Sequence, residues 1–218
     1  LAIPKKFNTE CSHYYYEATD LFSDDEITKR DGSFRLKQHM NFINNPKINE
    51  DFFELAGFIL GDGHLSKGGI NLVFGKNNRS LELELRYKNI ISDLFGINNY
   101  TTSEKPTFKN IIYNNLTLRA VFQRIGIPVG NKTRTVNIPQ KLLMGPDSYV
   151  AATIKGLMES DGNVSAGGLE FSTHSKELAE ELPLVLLRFG IKSHLMAKKC
   201  NDCNSLKYGV IICGYENV

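Results

Sequence analysis

The sequence predicts an α+β protein made of two pseudo-symmetric αββαββα repeats, in which the last helix of the second repeat is absent. The first observation is an internal duplication: Leu55-Ala-Gly-Phe-Ile-Leu-Gly-Asp-Gly63 and Ile154-Lys-Gly-Leu-Met-Glu-Ser-Asp-Gly162 share a glycine in the third place and a closing Asp-Gly. The second is that helical and strand-like patterns recur in the same order after each motif. The equivalent acids, Asp62 and Asp161, predict a site on a pseudo-two-fold axis.

The first repeat is expected over residues 49–145, after a polar N-terminal connector or small subdomain over residues 1–48. Its first helix has an apolar periodicity and begins after Asn49, a residue that favours helix N-termini. Alternating apolar residues predict strands, and Gly96 and Gly126 are placed to end helices. The expected elements are a helix over 51–60, a strand over 70–74, a helix over 80–95, strands over 98–103 and 109–114, and a helix over 116–125.

The second repeat is expected over residues 146–218 and follows the same order. Gly190-Ile191 ends its second helix as Gly96-Ile97 ends the counterpart in the first repeat. The expected elements are a helix over 148–160, a strand over 169–173, a helix over 175–189, and strands over 193–199 and 207–213.

Composition narrows the class of protein without identifying it. The chain has 218 residues, of which 41% are hydrophobic and 23% charged, with a net charge of +2. No apolar run is long enough to cross a membrane, and the opening Leu-Ala-Ile-Pro-Lys-Lys-Phe is too short for a signal peptide. We therefore expect a cytoplasmic protein that is not secreted and has no membrane partner.

The duplicated motif can build a metal site. Gly57 and Gly156 lie within helices, where glycine is unfavourable by roughly 1 kcal/mol relative to alanine unless another backbone approaches closely. Packing of the two motif helices at these glycines would bring Asp62 and Asp161 together at the helix ends. Two adjacent carboxylates repel each other and favour a divalent cation, and Mg²⁺ or Mn²⁺ suits a site completed by water and phosphate oxygens. Such a centre supports phosphodiester hydrolysis.

The two motifs resemble those of the LAGLIDADG homing endonucleases, in the single-chain form that carries two motifs. The resemblance covers residues 50–218 and implies that the motif helices form the contact between repeats and that the sheets sit in the DNA major groove. It also implies that Asp62 and Asp161 bind metal, together with the backbone carbonyls of Gly61 and Ser160. The expected function is a monomeric, pseudo-dimeric endonuclease that cuts double-stranded DNA at a specific site.

A finer resemblance is to the endonuclease domains of inteins. Leu1-Ala-Ile-Pro-Lys-Lys-Phe resembles the end of the first half of a splicing domain, while Gly126-Ile-Pro-Val-Gly-Asn-Lys132 and Gly209-Val-Ile-Ile-Cys-Gly-Tyr215 resemble segments near the second motif and in the last strand. Intein relatives place a catalytic lysine where this chain has Val136, so Lys132 or Arg134 is expected to take its place. Lys76 and His174 occupy the strand ends where the family often has a polar residue, and Lys76 is the second candidate catalytic lysine.

DNA contacts are expected from lysines near phosphates and from polar residues that face base edges. Asn71, Val73, Glu170 and Ser172 are outward strand positions under this prediction. The candidate basic and polar contacts are Lys67, Asn71, Arg79, Lys105, Lys109, Lys198, Lys199 and Lys207.

Three alternatives remain open from the sequence. The first is a nucleic-acid-binding relative that does not cleave, such as an RNA maturase. The second is a remnant of a larger splicing protein in which this segment is mainly an insert. The third concerns Cys200 and Cys203, whose spacing also occurs in zinc sites, although a second pair is missing and reduced thiols are the simpler interpretation.

Overall fold

The computed structural model describes residues 17–165, 168–199 and 206–212. The predicted splicing-domain resemblance at residues 1–7 and the pair Cys200 and Cys203 lie outside these residues, as does the end of the resemblance over 209–215. None of the described helices is long and apolar enough to cross a membrane.

The segment before the first repeat, predicted as a polar connector or a small subdomain, forms a small antiparallel sheet. A 3₁₀ helix (Ala18–Leu21) precedes β1 (Ile27–Arg30), β2 (Ser33–Leu36) and β3 (Ile43–Asn44), which pair in the order β1-β2-β3. We call these three strands the accessory sheet. Ile27, Phe34 and Ile43 are buried in the main core, so the sheet is packed onto the first repeat.

The first repeat has the predicted αββαββα order. Its sheet is antiparallel, and its second strand directs alternate residues to the core, as the buried Ile70, Leu72 and Phe74 show. Asn49 caps the first helix through a bond from the Phe52 amide at 3.1 Å, and Gly96 ends the second helix in the left-handed region. The elements are α1 (Glu50–Leu60), β4 (Gly63–Leu65), β5 (Ile70–Phe74), α2 (Asn78–Phe95), β6 (Thr101–Glu104), β7 (Lys109–Tyr113) and α3 (Leu116–Ile125).

The second repeat reproduces this topology after a short connecting helix, α4 (Gln140–Leu143), that the sequence did not predict. The strand order of the first sheet is β4-β5-β7-β6, and that of the second, written from the matching edge, is β8-β9-β11-β10. The elements are α5 (Asp147–Asp161), β8 (Gly162–Ser165), β9 (Gly168–Thr173), α6 (Lys176–Leu187), β10 (His194–Lys199) and β11 (Leu206–Ile212). The predicted two-repeat α+β architecture is therefore confirmed, with element ends shifted by a few residues.

Candidate active site

The motif helices α1 and α5 pack with their backbones in contact. A Cβ atom added to Gly57 would lie 2.1 Å from the Thr153 carbonyl oxygen, and one added to Gly156 would lie 2.0 Å from the Glu54 carbonyl oxygen. Both distances are far below a van der Waals contact, so only glycine fits at either position. The two glycines thus set how closely the repeats approach each other.

The C-terminal ends of α1 and α5 converge on each other. A Cβ atom on Gly61 would overlap the Ser160 side chain, at 1.8 Å from Oγ, and would lie 3.4 Å from Asp161 Oδ2. Asp62 follows Gly61 directly, while Asp161 is the last residue of α5. The structure therefore brings together all four residues predicted to bind metal, Gly61, Asp62, Ser160 and Asp161.

The two carboxyl groups have perturbed acidities. Burial, together with the nearby charge of Asp161, raises the pKa of Asp62 to about 7, while Lys132 opposes the change. Burial also raises the pKa of Asp161, against the opposing charges of Lys132, Lys207 and His174. Raised carboxyl pKa values in a cavity are typical of functional sites and indicate that a cation would be favoured between the two groups.

Lys132 reaches the same place from the segment that joins the repeats. Its ammonium donates to the carbonyl oxygens of Ile59 at 2.6 Å and Gly61 at 3.1 Å, and also to that of Leu60. These are carbonyls at the end of α1, where the helix dipole favours a positive charge. Burial lowers the pKa of Lys132 to about 7, although Asp161 and Asp62 act in the opposite direction.

A cavity of about 700 Å³ connects this cluster to both sheets. Its lining includes Asp62, Asp161 and Lys132, together with His64 from β4 and Ser172 from β9. The face of each sheet that is turned away from the helices, which we call its open face, therefore leads into the cavity. His64 was not predicted as a site residue, although its position two residues after the motif aspartate could have indicated it.

Direct strand partners share a face, so strand register assigns the remaining side chains. On the first sheet Asn71 is opposite Ile112 and Val73 is opposite Asn110, which places all four on the open face. Lys109 lies on the other face, opposite Phe74, and its ammonium donates to the buried Glu84 of α2 at 2.8 Å. Lys109 was predicted to lie on the outward face of its strand, and this placement is wrong.

On the second sheet, Lys198 and Lys207 are direct partners on the open face, which they share with Glu170 and Ser172. Lys199 is paired with Leu206 and points to the opposite face, contrary to the predicted outward position. Lys198 lies 3.8 Å from Glu170, so one acid partly compensates this basic face.

The other predicted residues lie away from the cavity. The Lys76 ammonium donates to Glu104 at 3.2 Å, and Lys76 is not among the described residues that line the cavity. Arg79 pairs with Glu159 at 3.0 Å across the two repeats. Lys67 and Lys105 are exposed in the β4–β5 and β6–β7 turns. Arg134 is exposed and is also absent from the described lining.

His174, by contrast, lines the cavity. Its Nδ1 lies 3.2 Å from the Leu206 carbonyl oxygen. A donated bond there fixes the ring and leaves Nε2 for another partner. The two strand ends are therefore not equivalent: the second contributes its side chain to the cavity and the first does not.

A buried cluster at the middle of the helix pair was missed in the sequence. Glu54 of α1 is 3% exposed and accepts bonds at 2.7 Å from both Arg86 Nε and Arg86 Nη2, and at 3.0 Å from Lys155 of α5. Burial raises the pKa of Glu54, but these bonds outweigh it and leave the pKa below its ordinary value. A carboxylate in the apolar run Phe52-Phe-Glu-Leu-Ala56 was the signal that could have revealed the cluster.

The residues present fit a divalent cation with hard oxygen ligands. Among the described residues no group of three His, Cys, Asp or Glu side chains is close enough to bind a metal alone. Two carboxylates and the Gly61 and Ser160 carbonyls leave room for water and phosphate oxygens, which is the pattern that Mg²⁺ prefers. Lys132 already donates to the Gly61 carbonyl, so the lysine and a cation would share that oxygen.

Residues 148–218 match the family model of a LAGLIDADG-like domain. The chain is 27% identical over 177 residues to replication factor C small subunit of Methanocaldococcus jannaschii, covering 81% of this chain and 9% of that protein. It is also 27% identical over 214 residues to an A-type ATP synthase subunit of Pyrococcus abyssi, covering 92% of this chain and 20% of that protein. The chain thus spans at most a fifth of the length of these two relatives.

Solved structures share the fold at low identity. The homing endonuclease I-DmoI, in complex with DNA and Mn, superposes with a TM-score of 0.53 and 15% identity, covering 74% of this chain and 90% of that one. Full-length WhiA from Thermatoga maritima superposes with a TM-score of 0.52 and 17% identity, covering 77% of this chain and 52% of that one. With its two matching repeats and the motif helices between them, the chain has the fold of the LAGLIDADG homing endonucleases.

Proposed function

We propose that the protein is a metal-dependent endonuclease that cuts double-stranded DNA at a specific site. The observation that carries this proposal is the convergence of Asp62 and Asp161 at the ends of two tightly packed helices, in a cavity that opens onto two sheet faces. A cleavage centre placed between two separate reading surfaces suits a long, asymmetric DNA target. The fold it shares with I-DmoI supports the same assignment.

Each residue of the cluster has a chemical role in this proposal. Asp62 and Asp161, once ionised, would hold the cation with the Gly61 and Ser160 carbonyls. A bound Mg²⁺ or Mn²⁺ would supply the positive charge that stabilises the phosphate oxygens and favours ionisation of water. Lys132, held by the carbonyls at the end of α1, would add positive charge beside the cation and help to stabilise the phosphate.

We also propose that the domain is carried as an insert within a larger host protein, of the intein type. Support comes from the relatives, whose names describe unrelated tasks in replication and ATP synthesis while the matched segment is at most a fifth of each. A segment shared by unrelated hosts is typical of a mobile insertion. Sequencing of the gene on both sides of the chain tests this point, because splicing blocks must flank the domain.

The test of cleavage uses a duplex that the wild-type protein selects from a random-sequence pool, incubated with Mg²⁺. Asp161→Asn should lower the cleavage rate by about 10³-fold or more, since several kcal/mol of charge stabilisation is lost, while the affinity for the duplex stays within a few-fold. Glu159→Gln is the matched control, because this acid lies on the same helix and pairs with Arg79. Retained cleavage by Asp161→Asn would place the active centre elsewhere.

A second candidate function is nucleic-acid binding without cleavage, as in an RNA maturase. The observation that favours it is the ion pair of Lys76 with Glu104, which holds one of the two candidate catalytic lysines away from the site. Lys132 is the single lysine among the described residues that line the cavity. This candidate predicts binding without product formation in either Mg²⁺ or Mn²⁺. Competition between duplex DNA and structured RNA of equal length separates it from the endonuclease.

A further inference from the structure

The loop between β2 and β3, residues 37–42, adjoins the outer end of the first sheet. The Leu36 amide donates to Thr117 Oγ1 at 3.3 Å, and Thr117 donates to the Asn41 carbonyl at 3.4 Å. On the same helix, Arg119 Nη1 donates to the Lys67 carbonyl at 2.8 Å. The first residues of α3 thus join the loop to the β4–β5 turn.

This end of the sheet is the one that points away from the cleavage centre. Gly63 begins β4 beside Asp62, whereas Lys67 lies in the turn at the other end of the same strand. A duplex that crosses the open face of the first sheet would therefore leave it close to the β4–β5 turn. The loop is joined to this turn through the first residues of α3.

The loop has the charge of a surface that contacts nucleic acid. Residues 32–49 contain Arg35, Lys37 and Lys47 and no Asp or Glu. With Lys67 and Arg119 from the first repeat, cations outnumber acids around the junction, although Asp25 is close enough for Lys37 to lower its pKa. The acids of the N-terminal segment precede residue 32 in the sequence, and Glu26 is the one joined to the loop by backbone, since its carbonyl accepts a bond from the Lys37 amide at 2.9 Å.

The loop is also held in one arrangement with large side chains turned outward. Arg35 donates to the His39 carbonyl and its guanidinium lies 5.2 Å from the centre of the Phe42 ring. Met40 is 87% exposed and Phe42 is 37% exposed. Apolar side chains displayed beside cations commonly press against sugars or base steps in DNA grooves.

We propose that the accessory sheet extends the DNA-binding surface beyond the first repeat, with the 37–42 loop against the phosphate backbone of the duplex flanking that half-site. The inference rests on the proposed function, because it requires the duplex to lie across the open faces. The added contact would make the DNA target longer on one side, since the second repeat has no accessory sheet among the described residues. The partner is the same DNA molecule that enters the cleavage centre.

The test is a hydroxyl-radical footprint on the selected duplex. Lys37→Glu should lose protection at the outer end of one half-site only, weaken binding by about 5-fold to 30-fold, and reduce the salt dependence by about one released counterion or more. Lys29→Glu is the matched control, because it makes the same charge change on β1, where Lys29 pairs with Asp24 at 3.2 Å. The cleavage rate at saturating protein should be unchanged in both.

Lys198→Ala identifies which half-site the second repeat contacts. It should remove protection from the half-site on the other side of the cleavage centre from the one affected by Lys37→Glu. Thermal unfolding of each variant reports whether the accessory sheet is intact. An unchanged outer footprint, or equal weakening by Lys37→Glu and Lys29→Glu, overturns this inference and leaves the proposed function standing. If the wild-type protein selects no duplex from the pool, the proposed function itself fails.

Discussion

The two repeats share a topology but bury their motif helices to different extents. In α1 every residue from Phe52 to Leu60 is buried, whereas in α5 burial is confined to Val150, Ala152, Thr153, Gly156 and Leu157. α1 packs between α5 and the first-repeat core, to which the accessory sheet adds. The first repeat is therefore the scaffold against which the second is docked.

The core beneath the first sheet is also more extensively packed than the core beneath the second. Phe58 of α1 stacks on Tyr87 at 4.0 Å and on Phe74 at 5.2 Å. The positions of the second repeat that correspond to Phe58 and Phe74 are Leu157 and Thr173, so the second core lacks this aromatic stack. Fewer buried contacts imply a lower local stability for the second sheet.

The open faces of the two sheets differ in charge, and here the second repeat has the more charged surface. Among the described strands, the open face of the first sheet carries neutral and imidazole side chains, while that of the second carries Lys198, Lys207 and the partly compensating Glu170. Under the proposed function, this difference predicts a division of labour: a rigid half that reads bases with neutral groups, and a less rigid half that supplies charge for phosphates. The predictions below test this division, beginning with the contact that joins the halves.

Gly156→Ala should produce the largest loss of stability. At an exposed helical position this change would stabilise by roughly 1 kcal/mol, but here the new Cβ would lie 2.0 Å from the Glu54 carbonyl oxygen. We expect a loss of about 3 kcal/mol in the free energy of unfolding, measured with urea. Gly57→Ala should lose a similar amount, because the contact is pseudo-symmetric.

The control is Ala151→Val, which enlarges an exposed residue of the same helix and should change stability by less than about 1 kcal/mol. A loss confined to one of the two glycine variants would break the symmetry of the interface. It would show that one helix can shift where the other cannot.

Arg86→Met should have the next largest effect, in the half assigned as the scaffold. Glu54 would keep Lys155 but lose two bonds of 2.7 Å while remaining buried, so we expect a loss of about 2 kcal/mol. In the wild type the pKa of Glu54 is lowered, so its stabilising contribution is present above the ordinary value of 4.5 and lost as pH falls through the folded value.

Without Arg86, burial becomes the dominant influence on Glu54. The deficit of the variant should then be largest at neutral pH and should shrink below about pH 4.5, which chemical unfolding at several pH values would measure. Lys155→Met removes the more exposed partner and should lose less. A deficit that is constant with pH would mean that Arg86 acts by packing alone.

The architecture could be predicted from the sequence because the duplication repeats several structural signals in the same order. Each motif combines a mid-helix glycine with a helix-ending Asp-Gly, and each second helix ends in Gly-Ile, so the order of elements was readable twice. The convergence of Asp62 and Asp161 followed from that symmetry. The position of Lys132 at the site was harder to predict, because this residue lies between the repeats, where the duplication gives no second copy.

Strand faces were not predictable to the same degree. Lys109 and Lys207 lie on equivalent strands but at positions that differ by one residue. Lys109 is opposite Phe74, and its counterpart opposite Thr173 is Tyr208, the residue after Lys207. A shift of one residue exchanges the two faces of a strand. The accessory sheet was missed because its strands are only two to four residues long and leave too few alternations to detect.

Asp62→Asn should stabilise the protein while it abolishes cleavage. The pKa of Asp62 is raised to about 7 from an ordinary 3.8, so its favourable contribution is complete below 3.8 and is lost as pH rises through 7. The amide does not ionise, and we expect a gain of about 1–2 kcal/mol at pH 8 without divalent cations, measured by thermal unfolding. The gain should vanish at pH 4.

Addition of Mg²⁺ supplies the second half of this test. The wild type should regain stability with Mg²⁺ at pH 8, since a ligand stabilises the state that binds it, whereas Asp62→Asn should not. Asp93→Asn removes an exposed acid from α2 and should be neutral in both conditions. Equal responses of the wild type and Asp62→Asn to Mg²⁺ would show that the cation binds elsewhere.

The smallest expected effect compares the two sheets through a single lysine each. Lys207→Ala removes a cation from the open face beside Lys198, so DNA affinity should fall a few-fold and the dependence of log affinity on log salt should decrease by about one. Lys109→Ala removes a cation that faces Glu84 of α2 and should leave the salt dependence unchanged, while it lowers stability slightly. Titration of the selected duplex at several salt concentrations measures both. If Lys109→Ala reduces the salt dependence as much as Lys207→Ala does, the two open faces carry equal charge toward DNA, and the division of labour between the repeats is wrong.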